Sequence, residues 1–344
     1  MSVATFPQQA LSIPIRVRGM AVRLKVGVVG VGKLGGEIAF AVARDGTWDE
    51  IVLYDVVEDL AWAQAADIRS GIAERSDSLV RSGTLEDLND SNVVLLVAGQ
   101  GRKPGMTRLD LLHANAPLVR DLSRKIVSVA PHATLVVLTN PVDVLTTIAW
   151  AASGLTRDRV LGSGAFLDSV RLRCILADRF NVRPSQVEAL VLGEHGQRVV
   201  PLFSRVRVQG QPVDLAPEDK AAILDELRDV STRIIAGKGG TAYGPAGATA
   251  SLLHALVSPH PSTAPASVVL HGEYGVQDIA LGVPAIVGKG HVLRVEEWPL
   301  IPEEQEALRA AAQDLGEFAQ DASVLLGLAV HHTTLDKFAT RADR

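Results

Sequence analysis

Gly30, Gly32 and Gly35 stand in G-x-G-x-x-G spacing, between a short apolar run at 24–29 and a helix-like segment at 33–44. Few arrangements constrain a fold as tightly. A strand must end in a tight turn, the turn must admit another backbone closely, and the helix must pack hard against that strand. The first backbone N–H groups of such a helix have no partners within it, which suits a pyrophosphate. Gly30, Gly32, Lys33, Leu34 and Gly35 are therefore candidate phosphate contacts. Asp55 ends the next strand-like run, 51–54, where a carboxylate bonds both ribose hydroxyls of NAD and would repel a 2′-phosphate. No Arg or Lys occurs among Val56, Val57, Glu58 and Asp59, so the expected cofactor is NAD.

The first half repeats this alternation. Residues 58–74 have helical composition, and 93–98 and 135–138 are continuous apolar runs bounded by turn residues. Continuous rather than alternating apolar runs are what strands buried on both faces require. Together they predict an α/β fold, a Rossmann doubly wound parallel sheet with right-handed crossovers. After about residue 162 the pattern changes. Helix-like stretches at 167–180 and 218–236 flank an apolar run at 187–192 and short strands with turns over 199–208. Strand-like runs follow at 267–270, 285–287 and 292–295. A last helix starts after Pro302, with Leu308, Ala312, Leu315, Ala319, Ala322 and Leu326 on one face. This half reads as an α+β substrate-binding domain. The expected division is an N-terminal extension 1–22, an NAD-binding domain 23–162, a substrate domain 163–330 and a tail 331–344.

A formal net charge of −5 argues against a nucleic-acid partner. The long uncharged stretch 239–272 is broken by glycines and prolines, so no membrane span is expected. Cys174 is the only cysteine, which excludes an intrachain disulfide and a cysteine-based zinc site. It reads as a core residue of a cytoplasmic protein, and no metal is expected. Of the 34 basic residues 26 are Arg, and the planar forks of some of these suit carboxylate recognition.

Three cations, Arg102, Lys103 and Arg108, lie in a glycine-rich loop directly after the run 93–98, where a doubly wound sheet binds its ligands. The segment Arg102-Lys-Pro-Gly-Met-Thr-Arg108-Leu-Asp-Leu resembles the lid of malate dehydrogenases in the lactate/malate dehydrogenase superfamily. It is most similar to the lactate-dehydrogenase-like, archaeal-type branch. Thr139-Asn140-Pro141-Val142-Asp143, Gly162-Ser163-Gly164, Leu167-Asp168-Ser-Val-Arg171, Gly193-Glu194-His195-Gly196, Gly272-Glu-Tyr-Gly275 and Gly282-Val-Pro-Ala285 extend the likeness over about residues 24–328.

The resemblance implies roles. His195 is the acid/base and Asp168 its partner. Arg171 grips the substrate's C1 carboxylate as a bidentate fork. Arg108 stabilises charge on the reacting oxygen. Arg102 stands where lactate dehydrogenases typically carry Gln, and would pair with a second carboxylate. Pyruvate would leave that charge unpaired, a penalty of about 1–3 kcal/mol or more. Asn140, before a bond that is a candidate for cis, and Thr241 would line the substrate pocket, while Gly99, Asn115 and Asn140 would approach the cofactor. Gln197 departs from the Asp that many relatives carry. The implied activity is NAD-dependent malate dehydrogenase acting on a small dicarboxylate, with L-lactate or a broader L-2-hydroxyacid dehydrogenase as the alternative. A homo-oligomer, tetramer or dimer, is implied as well.

Overall fold

The computed structural model describes residues 23–101 and 105–328. In the first half, β1 (Lys25–Val29), α1 (Lys33–Asp45), β2 (Glu50–Tyr54), α2 (Glu58–Ile72), β3 (Leu79–Ser82) and β4 (Val93–Leu96) are followed by α3 (Arg108–Val129), β5 (Thr134–Val137), α4 (Val142–Ser153) and β6 (Val160–Gly162). The six strands are parallel, in the order β3-β2-β1-β4-β5-β6. Every residue of β1, β4 and β5 is buried, as continuous apolar strands covered on both faces must be. The strand order reverses between β1 and β4, which opens a crevice at their C-terminal ends.

Glycine spacing makes that crevice tight. A Cβ on Gly35 would collide with the Gly30 carbonyl, and one on Gly30, at φ 92°, would run into the backbone of Ala98 after β4. No larger residue lets α1 leave β1 at this angle.

The second half adds α5 (Gly164–Phe180), β7 (Val187–Glu188), β8 (Val191–Gly193), β9 (Val199–Pro201), β10 (Arg207–Val208), β11 (Gln211–Pro212), α6 (Pro217–Lys238), α7 (Tyr243–Val257), β12 (Ser262–His271), β13 (Gln277–Gly288), β14 (His291–Val295) and α8 (Pro302–Leu326). The long hairpin β12–β13 pairs antiparallel, and β12 also lies antiparallel beside β6, so the main sheet runs on from the first half into the second. One apolar core spans both halves, and a second sits between α5, α6 and the small sheet β11-β10-β7. All six apolar positions expected on one face of α8 are buried. Cys174 is a correction: it is exposed, because α5 turns Leu172, Ile175 and Leu176 inward and leaves position 174 on the outer face. Among the described residues no helix is long and apolar enough to cross a membrane, and no cluster of metal-ligating side chains occurs.

Candidate active site

At the crevice, α1 opens at Gly32, which caps the helix with no side-chain hydrogen bond, and its first turn carries no acidic residue. A Cβ at Gly32 would meet nothing within 4 Å, so the turn that opens α1 is unobstructed at this point. Asp55 is half-buried at the end of β2. Its carboxylate accepts the Val31 N–H at 2.9 Å and the Val57 N–H at 3.1 Å, which fixes it beside the glycine turn. An open helix N-terminus with a carboxylate at the neighbouring strand end fits a dinucleotide with free ribose hydroxyls. Leu34 is half-buried, and the exposed Lys33 reaches the Lys238 carbonyl at 3.4 Å.

Asn115, a candidate cofactor contact, lies at the floor of the crevice. It is fully buried in α3, donating to the carbonyls of Gln100 at 3.1 Å and Asn140 at 2.8 Å and accepting the Gln100 N–H at 2.8 Å. All its hydrogens are committed, so it braces the two loops at the crevice floor. Gly99 is held against Thr139 and Asn115. Asn140 is exposed, precedes a cis peptide bond to Pro141 as expected, and accepts the Val142 N–H at 3.3 Å.

The second half supplies a charged cluster. Asp168 and Arg171 are one turn apart on α5 and face the same way. His195 follows β8 in a loop between Gly193 and Gly196, both at positive φ. Its Nδ1 lies 2.7 Å from Asp168 Oδ2, and Arg171 Nη1 lies 3.3 Å from Asp168 Oδ1. The carboxylate accepts Nδ1–H, and among the described residues no hydrogen bond reaches Nε2. Gly164 is what allows this approach, since a Cβ there would come within 2.6 Å of the His195 Cβ. Burial alone would push the imidazole down, but the charge and hydrogen bond of Asp168, aided by Asp143, hold it above the ordinary histidine range. Burial works against the Arg171 charge, and Asp168 offsets only part of that.

Arg108, the first residue of α3, forms an ion pair with Glu194 and lies 4.8 Å over the Phe318 ring of α8. Thr241 is half-buried in the turn between α6 and α7, and among the described residues no hydrogen bond joins it to His195, Asp168 or Arg171. Arg102 lies outside the described residues.

Glu194 and Asp143 were not singled out from the sequence. Glu194, with 2% exposure, has its carboxyl pushed up to about 7 by burial, Arg108 only partly offsetting this. The folded protein thus holds this proton more tightly than the unfolded chain. The resulting cost to stability grows as pH rises from about 4.5 and is complete above about 7. Glu194→Gln should therefore unfold at higher urea than the parent at about pH 8, by on the order of 3 kcal/mol, with the gap closing toward about pH 4.5. A gap of the same size at both pH values would separate it from Glu194 ionisation.

Comparison with known proteins matches this anatomy. The lactate/malate dehydrogenase NAD-binding domain matches residues 24–162, and the alpha/beta C-terminal domain of the same family matches residues 165–323. Malate dehydrogenase of Haloarcula marismortui is 37% identical over 85% of this chain and 97% of its own. L-lactate dehydrogenase of Thermus aquaticus is 38% identical over the same shares. The structure of malate dehydrogenase from Archaeoglobus fulgidus in complex with NADH superposes with a TM-score of 0.79 at 36% identity, covering 87% of this chain and all of that one. The cofactor is NAD. A nucleotide crevice at the strand reversal, a paired histidine from the second half and matches along both halves have one explanation: the chain belongs to the lactate/malate dehydrogenase family.

Proposed function

We propose that this chain is an NAD-dependent malate dehydrogenase that interconverts (S)-malate and oxaloacetate. One contact carries the chemistry: His195 Nδ1 against Asp168 Oδ2 at 2.7 Å, which leaves Nε2 as the proton-transferring atom. Held by the glycine turn at Gly30, Gly32 and Gly35 and by Asp55, NAD⁺ would supply the acceptor for the hydride from the substrate C2. His195 Nε2 takes the hydroxyl proton during oxidation and returns it during reduction. Asp168 stabilises the imidazolium so formed and keeps the ring in one orientation. Arg171, beside Asp168, holds the C1 carboxylate, with Asn140 and Thr241 completing the pocket. Arg108 stabilises negative charge on the C2 oxygen.

What selects malate is Arg102, in the segment that resembles the malate dehydrogenase lid. With Arg171 it supplies two guanidinium groups for two carboxylates. The rival reading, an L-lactate or broader L-2-hydroxyacid dehydrogenase, draws support from a Thermus aquaticus relative as similar as the malate enzymes. NADH oxidation with oxaloacetate against pyruvate decides between them. Oxaloacetate is expected to give a kcat/KM at least about tenfold higher, given the cost of an unpaired charge. Equal efficiency would overturn the malate reading. The proposal includes a homo-oligomer, dimer or tetramer, in the cytoplasm, supported by the family resemblance and by the low cysteine content.

A further inference from the structure

Beneath His195 lies a second carboxylate that the reaction scheme above does not use. Asp143, in the first turn of α4, is 1% exposed. Its Oδ2 accepts the backbone N–H of His195 at 2.7 Å, and its Oδ1 accepts the Ser267 hydroxyl of β12 at 2.6 Å. Three elements far apart in the chain thus converge on one buried group: α4 from the nucleotide half, β12 from the hairpin, and the histidine loop after β8.

We propose that Asp143 is a positioning residue for proton transfer, pinning the main chain of His195 and facing its imidazole with a second negative charge. The inference deepens the dehydrogenase reading and rests on His195 as the proton carrier. Two donors and the N-terminus of α4 favour the ionised carboxylate, while burial pushes its carboxyl up. As the anion, the carboxylate accepts both the His195 N–H and the Ser267 hydroxyl, and the short hydroxyl contact suits a charged acceptor.

The groups facing His195 make its charge a balance. Asp168 and Arg171 come from α5, Asp143 from α4 with Ser267 as its own partner, and Glu194 from the same loop with its partner Arg108. Asp168 acts on the ring at Nδ1, and Arg171 opposes it. Asp143 tips the balance toward the imidazolium, the form that must donate a proton during keto-acid reduction. Because Asp143 holds the backbone rather than the ring, it adds charge without occupying Nδ1 or Nε2.

Asp143→Asn isolates the charge. The amide oxygen can still accept the His195 N–H while the amide nitrogen donates to Ser267, so both contacts survive. The test follows the His195 ring by NMR as a function of pH in the NADH-loaded enzyme without substrate. The titration is expected to move about one pH unit lower in the variant, and the fall of keto-acid reduction on the alkaline side should move with it. NADH affinity should stay within about twofold of the parent, since among the described residues no hydrogen bond joins the Asp143 side chain to the glycine turn or to Asp55. An unmoved His195 titration in a folded, NADH-binding variant would overturn the proposal.

If the variant fails to fold, the parent still decides. The Asp143 carboxyl carbon should report an ionised group at about pH 7, and a protonated signal there overturns the proposal. Pyruvate preferred over oxaloacetate would sink the malate reading and leave this one standing. An unmoved titration with oxaloacetate still reduced would do the reverse.

Discussion

His195→Asn is expected to bind NADH as the parent does and to lose turnover by about 10²- to 10⁴-fold, the usual contribution of a positioned acid/base. The side chain lies in the second half, after β8, and the nucleotide crevice is built in the first half, at the ends of β1, β2 and β4 and the start of α1. Removing the imidazole therefore leaves the cofactor's supports untouched. Asparagine is small enough for the slot against Gly164 and can still bond to Asp168, so the fold should survive. Asp168 and Arg171 would keep their own contact at 3.3 Å. Cofactor fluorescence gives the binding constant and a single-turnover trace gives the chemical step. A variant that retained parental turnover would remove His195 from proton transfer, and with it the central step of the proposed mechanism.

Arg102→Gln tests substrate choice. Loss of the guanidinium should lower kcat/KM for oxaloacetate by about 10- to 100-fold, because the distal carboxylate enters a drying site without its partner. Pyruvate has no distal carboxylate, so its efficiency should stay level or rise. The informative quantity is the ratio of the two substrates, since a general disturbance of the loop would slow both. Equal losses would mean that Arg102 does not meet the second carboxylate. Arg171→Lys makes a useful contrast, because a lost bidentate fork weakens both substrates at the carboxylate they share.

Much of this was legible in the sequence where signals are local. The glycine spacing, Asp55 and the continuous apolar runs announced the nucleotide half because turns and doubly covered strands impose residue types directly. Elements hidden by their own residues were harder to read. The helix α3 starts inside what reads as a loop and carries Pro117 within its length, although Thr107 and Asp110 form a reciprocal cap that marks its start. Glycine and proline near its start obscure α7. In α4, Thr146 and Thr147 look unlike helix formers until their hydroxyls are seen bonding back to Val142 and Asp143. The pairing of His195 with Asp168 was implied by resemblance alone, since the two residues are 27 positions apart. Asp143 and Glu194 stood inside motifs of the resemblance without a role: what marks them is burial beside partners up to 124 residues away, which no spacing rule encodes.

Strand β6 pairs with β5 on one side and with β12 on the other, where Gly162 faces Ser267 and Leu161 faces Val268. The two family domains are thus seamed by a ladder of hydrogen bonds instead of joined by a linker. For protein engineers, this sets a rule for chimeras. Exchanging the C-terminal half for that of a relative transplants one edge of the recipient's own sheet, so compatibility is decided at the β6–β12 seam. A donor whose hairpin slips by a single residue there would turn every side chain of β12 to the wrong face, displacing Ser267 from Asp143 and stranding a buried carboxylate.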